Sequence, residues 1–132
     1  MQKSNKLIYP ELSYRITGIL FAAHNELGRF CNEKQYSDSI EGYLRKLKVK
    51  YEREKILPPS FKYEKEGRNK IDFLIDDKII LEIKAKRLLI KDDYYQVKRY
   101  LVTFNKKLGL LVNFRDKYIK PRRILNSNVN DL

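Results

Sequence analysis

Apolar and polar residues alternate along two consecutive segments near the middle of the chain. In Ile71–Ile75 and Ile79–Lys84 the odd-numbered positions are apolar, and a period of two is typical of strands with one face on the core. Opposed residues of an antiparallel pair share a face, so burying both odd-numbered sets restricts the register of a hairpin. The shortest such register with a normal turn has a three-residue loop, Asp76–Lys78, and places Asp72 opposite Glu82.

Three other segments carry apolar residues at helical spacing and bear residues suited to helix ends. The predicted helices are Glu11–Leu27, stopped by Gly28; about Glu33–Lys48, capped by Asn32; and a third that starts at Asp92 or Asp93. Their inward-facing residues are Leu12, Ile16, Ile19, Ala23 and Leu27; Tyr36, Ile40, Tyr43, Leu44 and Leu47; and Tyr94, Val97, Leu101 and Phe104.

Further short segments indicate additional strands. They are Val49–Ile56 and Phe61–Glu66, on either side of the turn Pro58–Pro59, then Leu108–Phe114 and a final short strand at Arg122–Leu125. Without the final short strand the order is α-α-β-β-β-β-α-β, which predicts an α/β fold of a single domain, a mixed sheet with helices packed on it. We expect a basic N-terminal lead-in at residues 1–10, the domain at 11–127 and a C-terminal tail at 128–132.

Composition and charge narrow the function. Hydrophobic residues make up 42% of the 132 residues, which favours a folded globule. The 29 Lys and Arg residues against 17 acidic ones give a net charge of +12, which favours a polyanionic partner, nucleic acid before an anionic membrane surface. The alternative is a protein with an ordinary Lys-rich surface.

Several sequence features that would indicate secretion, membrane insertion or nucleotide binding are not evident. Cys31 has no second cysteine to pair with, and neither a signal peptide nor a membrane-spanning segment is evident. We therefore expect a soluble, cytoplasmic protein that does not associate with membranes. The five glycines are scattered rather than gathered in a phosphate-binding loop, which argues against a nucleoside-triphosphate enzyme.

The hairpin carries the candidate chemistry. Directly opposed Asp72 and Glu82 would have Cβ atoms roughly 5 Å apart, and like charges this close need a cation, either a divalent metal or Lys84 alone. Mg²⁺ requires few protein carboxylates, and the carbonyl of Ile83 would offer one more oxygen. Lys84 would orient a water or offset charge in the transition state of phosphodiester hydrolysis. The alternative is a solvated polar sheet face without a metal.

The same residues match a known motif. Asp72, followed after nine residues by Glu82-Ile83-Lys84, resembles the core motif of the PD-(D/E)xK nuclease superfamily. Within it, the chain from about residue 8 to 125 resembles the GxxExxY family. The other segments that carry this resemblance are His24-Asn25-Glu26-Leu27-Gly28, Glu33-x-x-Tyr36, Gln96 and Leu108–Phe114.

The resemblance implies a restriction-endonuclease-like α/β fold and assigns roles to individual residues. It implies that Asp72 and Glu82 are metal ligands, that Lys84 is the catalytic lysine, and that Glu33 is a further active-site acid. Two positions depart from the pattern, because Phe30 replaces the first Gly of GxxExxY and Ile71 replaces the Pro before Asp72. The first departure concerns the backbone that enters the second helix.

Candidate nucleic-acid contacts are spread along the chain. Gln96 and Tyr100 are i, i+4 neighbours on the third helix, and the pair is similar to that of RecB-like nucleases, although an amphipathic rim would look the same. Tyr36 of the GxxExxY segment and the basic residues Arg122 and Arg123 are further candidates. We expect His24 to be structural.

These observations lead to a hypothesis and its alternatives. We predict a Mg²⁺- or Mn²⁺-dependent nuclease that cuts DNA more readily than RNA. The alternatives are a catalytically silent nucleic-acid-binding module of the same fold, a dimer resembling Holliday-junction resolvases, and a plain interaction or structural protein. A chain of this size leaves little room for a recognition domain, so a homodimer or a partner protein would supply specificity.

Overall fold

The computed structural model describes residues 8–126. It contains three helices and five strands in the order α1 (Pro10–Leu27), α2 (Glu33–Lys46), β1 (Tyr51–Ile56), β2 (Lys70–Ile75), β3 (Ile79–Lys84), α3 (Lys91–Phe104), β4 (Leu108–Asn113) and β5 (Arg122–Leu125). Most of the lead-in and the whole tail lie outside the described residues, so the domain boundaries stay a prediction. None of the helices within residues 8–126 is long and apolar enough to cross a membrane.

The five strands form one mixed sheet in the order β1-β2-β3-β4-β5. β3 and β4 are parallel and are joined through α3, whereas each of the other neighbouring pairs is antiparallel. The predicted α/β class and mixed sheet are therefore confirmed.

Both faces of the sheet are covered, which creates two apolar cores. The first lies under α1 and α2 and contains Ile16, Leu20, Tyr36, Ile40, Leu44, Phe73, Leu81 and Val112 among others. The second lies under α3 and contains Leu74, Ile80, Val97, Leu101 and Leu111. Gly109 permits the close approach of α3, since a Cβ there would lie 2.6 Å from Cγ1 of Val97.

The β2–β3 hairpin has the predicted register. Phe73 pairs with Leu81 and Ile75 with Ile79, which aligns Asp72 with Glu82 one step further along. The Lys78 N–H donates to the Ile75 carbonyl at 3.0 Å. Asp76 and Asp77, with φ of 53° and 56°, take the left-handed positions that glycine would favour, a conformation that aspartate tolerates better than most residues.

The predicted strand Phe61–Glu66 is wrong, because these residues form part of the loop between β1 and β2. The Glu64 carboxylate accepts hydrogen bonds from the Ser60 N–H, the Ser60 hydroxyl and the Asn69 amide at 2.7–2.9 Å. These hydrogen bonds lie within the loop and stabilise it, whereas a strand would be stabilised by backbone hydrogen bonds to a neighbouring strand. Phe61 is 63% exposed, so it does not pack on a core as a strand residue would.

Two further expectations need correction. The second helix ends at Lys46 rather than Lys48, and Leu47 is 45% exposed instead of inward-facing. The even-numbered face of the hairpin is not polar throughout, because Leu74 and Ile80 are buried under α3. The other predicted inward residues of the three helices are either buried or partly buried against the two cores. The partly buried ones are Leu12, Leu27, Tyr43, Tyr94 and Phe104.

Candidate active site

The hydrogen-bonded ladder between β2 and β3 stops where the two acidic residues meet. The last recorded pair of the ladder is Phe73 with Leu81. Beyond it the Asp72 N–H donates to Oε2 of Glu82 at 2.8 Å, and the Ile83 N–H donates to Oδ2 of Asp72 at 2.7 Å. Each carboxylate thus takes a backbone donor of the facing strand, which holds the two acids side by side at the open end of the hairpin.

The neighbouring strand β1 is distorted at the same level. Arg53 pairs with Phe73 and Lys55 with Ile71, so Glu54 lies opposite Asp72, and its φ is +54°. Backbone in this region is costly for a residue other than glycine and is often found at functional sites. Ile71 belongs to the core under α3, whereas Phe73 belongs to the core under α1 and α2. The predicted single face for the odd-numbered residues of β2 is therefore wrong at Ile71.

Burial gives the acidic pair unusual electrostatics. Burial and the adjacent Asp72 carboxylate raise the pKa of Glu82 to about 8, and Glu82 is only 5% exposed. Burial also raises the pKa of Asp72, helped by the nearby Glu33 and opposed by the Ile83 N–H and the Lys84 ammonium. Two ionised carboxylates in this position repel each other, and a bound cation would relieve that repulsion.

The donor set fits a small divalent cation that retains water. Each acid accepts a backbone N–H with one oxygen, and within residues 8–126 its second oxygen accepts no hydrogen bond. In the same part of the chain no group of three or more His, Cys, Asp or Glu side chains is arranged to hold a metal ion. Mg²⁺ needs only one or two protein carboxylates because it keeps several waters, so Asp72, Glu82 and a backbone oxygen suit it.

Lys84 is held beside the acids by α3. Its Nζ donates to Oε1 of Gln96 at 3.1 Å, and its charge lowers the pKa of both Asp72 and Glu82 against the effect of burial. Tyr100 is 4% exposed, and burial raises its pKa, with Glu82 adding to the shift and a hydrogen bond to Gln96 opposing it. The Gln96–Tyr100 pair therefore lies next to the acids, with Tyr100 inside the fold and Gln96 as the contact to the lysine.

Glu33 approaches the site from the first turn of α2. The capping box of Asn32 and Gln35, with two hydrogen bonds of 2.9 Å, fixes where this helix starts. Oε2 of Glu33 accepts the Ala85 N–H at 3.2 Å, which connects α2 to the residue after Lys84. Its charge contributes to the raised pKa of Asp72 and of Glu82, so this exposed carboxylate is part of the same cluster.

Tyr36 is not at the surface. Its ring is fully buried and stacks on Phe114 with ring centres 4.2 Å apart. Its hydroxyl donates to the Gly28 carbonyl and accepts the Cys31 N–H. The expectation that Tyr36 contacts nucleic acid is therefore corrected, since the ring is in the core and the hydroxyl fastens the α1–α2 turn.

The two arginines of β5 differ from each other. Arg123 donates to the Ser13 hydroxyl at 2.9 Å and to the Ile8 carbonyl at 2.7 Å, so it fastens the start of α1 rather than facing outward. Arg122 is exposed and pairs with Leu111, which itself pairs with Glu82. Two strand spacings, roughly 10 Å, separate Arg122 from the acidic pair at the same level of the sheet.

His24 has the structural role that was expected. Its Nε2 donates to the Asp116 carbonyl at 2.9 Å, and its ring centre lies 5.9 Å from that of Phe114. The histidine thus connects α1 to the segment after β4.

Several charged residues around Asp72 were not predicted from the sequence. A depression of about 130 Å³ is lined by Glu33, Lys34, Ser37, Arg53, Glu54, Lys70 and Asp72. Lys34 and Lys70 both lie 3.6 Å from the Glu54 carboxylate. Glu54 was predicted on the strand Val49–Ile56, but its pairing with β2 could not be deduced because a further strand, Phe61–Glu66, was predicted between them.

Comparison with known proteins identifies the family. The sequence model of the PD-(D/E)XK nuclease superfamily matches residues 10–124, which include the acidic pair and Lys84. The chain therefore belongs to the PD-(D/E)XK nuclease superfamily, and its mixed sheet flanked by helices agrees with the restriction-endonuclease-like α/β fold.

One solved structure is similar in fold, whereas no curated protein matches the chain by sequence. The crystal structure of SSO0001 aligns with a TM-score of 0.51 at 22% identity, over 89% of this chain and 59% of that chain. The chain thus spans less than two thirds of the length of that structure, and at this identity the likeness concerns the fold alone.

Proposed function

We propose that the protein is a divalent-metal-dependent nuclease that hydrolyses phosphodiester bonds, with DNA as its substrate. The observation that carries the proposal is the buried Asp72–Glu82 pair with Lys84 beside it, at the open end of the hairpin. Superfamily membership over residues 10–124 supports nuclease chemistry. The net charge of +12 favours a polyanionic substrate. A closer relationship to the GxxExxY family belongs to the same proposal.

Asp72, Glu82 and the Ile83 carbonyl would hold Mg²⁺ or Mn²⁺. When bound, such an ion acidifies a coordinated water and polarises the phosphate. The chain contributes a fixed geometry, because the N–H groups of Asp72 and Ile83 keep both carboxylates in place without a metal. A site that is already formed avoids reorganisation during the reaction.

Lys84 would act on the scissile phosphate. Gln96 accepts from its Nζ, which fixes the ammonium without neutralising it. From there it offsets negative charge on the phosphate or orients the attacking water. Glu33, which faces the cluster from α2, would accept a proton or hold a water on the other side.

One observation favours a second candidate, a nucleic-acid-binding module without catalysis. The carboxylates are satisfied in part by backbone N–H groups, an arrangement that needs no metal to be stable if Glu82 is protonated. Such a module would bind DNA with equal affinity in Mg²⁺ and in EDTA.

The test is a cleavage panel of linear and supercoiled duplex, single-stranded DNA, a four-way junction and RNA, each with Mg²⁺, Mn²⁺ or EDTA. Wild type and Asp72→Ala would be purified in parallel to reveal contaminating nuclease. We expect metal-dependent cleavage of at least one DNA by wild type and none by Asp72→Ala. Equal cleavage by both proteins, or salt-sensitive binding with no cleavage at all, would contradict the nuclease.

A further inference from the structure

An exposed aromatic ring with two arginines lies beside the candidate active site. Phe30, in the turn between α1 and α2, is 76% exposed. The guanidinium carbons of Arg29 and Arg115 lie 5.1 Å and 5.6 Å from its ring centre, within cation–π distance. A single exposed phenylalanine is ordinary. Two guanidinium groups held against it, however, form a combined aromatic and cationic surface.

The two arginines are fixed in position by each other. The Nε of Arg29 donates to the Arg115 carbonyl at 2.9 Å, and the Nε of Arg115 donates to the Arg29 carbonyl at 2.8 Å. Within residues 8–126 their terminal nitrogens donate to no acceptor, so these donors are open to a ligand. Because Phe30 remains 76% exposed, the guanidinium groups do not cover both faces of its ring.

The surface is continuous with the acidic cluster. Phe30, Arg115, Glu33 and Ala85 line one open depression of about 600 Å³. Glu33 also lines the smaller depression that contains Asp72. A polymeric ligand that extends from Asp72 across Glu33 therefore enters the depression that Phe30 lines.

We propose that Phe30, Arg29 and Arg115 form a stacking site for an unpaired nucleobase. The two guanidinium groups would bind the backbone phosphates next to that base. Every base has a face that stacks on an aromatic ring, and every nucleotide carries a phosphate for an arginine, so this composition suits single-stranded nucleic acid. A paired base inside a duplex cannot offer its face to Phe30. The stacking site rests on the proposed nuclease function and assigns to it a single-stranded or locally unpaired substrate.

The test is binding in EDTA, which removes any dependence on cleavage. The probes are a thymidine oligodeoxynucleotide of about ten residues, an abasic oligonucleotide of equal length, and a blunt duplex. The variants are Phe30→Ala and Phe30→Trp, and the matched control is Tyr14→Ala, which removes an 81% exposed aromatic near the start of α1. Tyr14 lies roughly 20 Å along the helix from Leu27. Circular dichroism would establish that each variant is folded.

We expect Phe30→Ala to weaken binding of the thymidine oligonucleotide about tenfold, the scale of one stacked base. Binding of the abasic probe and of the duplex should stay within twofold, and Tyr14→Ala should match wild type. The chain has no Trp, so Phe30→Trp supplies a unique fluorophore that the bound thymidine oligonucleotide should quench.

Unchanged binding in Phe30→Ala, or an equal loss for all three probes, would overturn the stacking site. Absence of quenching in a Phe30→Trp protein that binds the oligonucleotide would overturn it as well. If Phe30→Ala shows the selective loss while the wild type cleaves nothing in any metal, the stacking site stands and the nuclease fails. The two proposals can therefore fail separately.

Discussion

At the scale of single residues, the site depends on two carboxylates that accept backbone N–H groups in place of the carbonyl oxygens of a strand ladder. Asp72 and Glu82 accept N–H groups from the facing strand where the hairpin ladder ends. These bonds fix the acids but leave their mutual repulsion uncompensated apart from Lys84. The ionised pair, which forms as pH rises through the Glu82 pKa of about 8, therefore destabilises the metal-free protein, and a cation that binds the folded state should stabilise it.

Glu82→Gln tests this repulsion. An amide keeps an acceptor for the Asp72 N–H and removes the second negative charge, so we expect the variant to be more stable than wild type in EDTA at pH 8.5 by about 1–3 kcal/mol. Added Mg²⁺ should raise the Tm of wild type and leave that of the variant unchanged. Glu66→Gln, at an exposed position, is the control. A variant less stable than wild type in EDTA would argue against the repulsion.

Tyr36→Phe tests the structural role of a residue first expected at the nucleic-acid surface. The hydroxyl is bonded to the Gly28 carbonyl and the Cys31 N–H, so its removal should cost about 1 kcal/mol of unfolding free energy. DNA affinity should stay that of wild type because the ring is buried. Denaturant unfolding and oligonucleotide titration measure the two quantities, and a selective loss of affinity would restore Tyr36 to the binding surface.

At the scale of secondary-structure elements, α3 holds Lys84, the proposed catalytic lysine, through Gln96. Its N-terminus is fixed by Asp93, whose carboxylate accepts the Ile90 N–H at 2.8 Å and pairs with Lys86 at 3.0 Å. Burial raises the pKa of Asp93, but the Ile90 N–H and Lys86 outweigh it, so the pKa lies below its usual value. Gln96 lies one turn further along and contacts Lys84, so the start of α3 bears on the position of that lysine.

Asp93→Asn should therefore destabilise the protein in a pH-dependent way. A lowered folded-state pKa gives stability that is present above the unfolded-state pKa of aspartate and lost as pH falls through the folded-state value. We expect a loss of about 1 kcal/mol at pH 7, shrinking below about pH 4. Urea unfolding at pH 7, 5 and 3 measures it. A difference that stays constant down to pH 3 would show that the charge of Asp93 is not its cause.

The elements were predictable to different degrees for physical reasons. The β2–β3 register followed from local alternation and a short turn, so Asp72 and Glu82 could be placed opposite each other from the sequence. The position of Glu54 could not, because it depends on a pairing across a long loop and on a backbone angle of +54°. Tyr36 was correctly placed on the inward face of its helix, but the partners of its hydroxyl lie in a turn that no periodicity describes.

At the scale of the whole molecule, some of the basic residues stabilise the fold and others are exposed and available to a ligand. Arg123 donates to Ser13 and to the Ile8 carbonyl, so it contributes to the attachment of α1. Arg122 is exposed at the level of the acidic pair. Adjacent arginines on one strand thus have different expected roles.

Single substitutions should separate these roles. Arg122→Ala should reduce the dependence of log affinity on log salt concentration by about one phosphate contact and leave Tm unchanged. Arg123→Ala should lower the unfolding free energy by about 1–2 kcal/mol with the salt slope intact. DNA titrations at four salt concentrations and denaturant unfolding provide both readouts. The reverse assignment of effects would remove Arg122 from the binding surface.

Asp72, Glu82 and Lys84 are proposed to form a metal-dependent phosphodiesterase site. The most direct measurement is the cleavage rate of Lys84→Ala in Mg²⁺, on the best DNA substrate of the wild type, against Lys98→Ala as an exposed lysine on α3. We expect Lys84→Ala to lose cleavage by about 10³-fold or more and Lys98→Ala to cleave within severalfold of wild type. A Lys84→Ala protein that cleaves as fast as wild type would contradict this proposal.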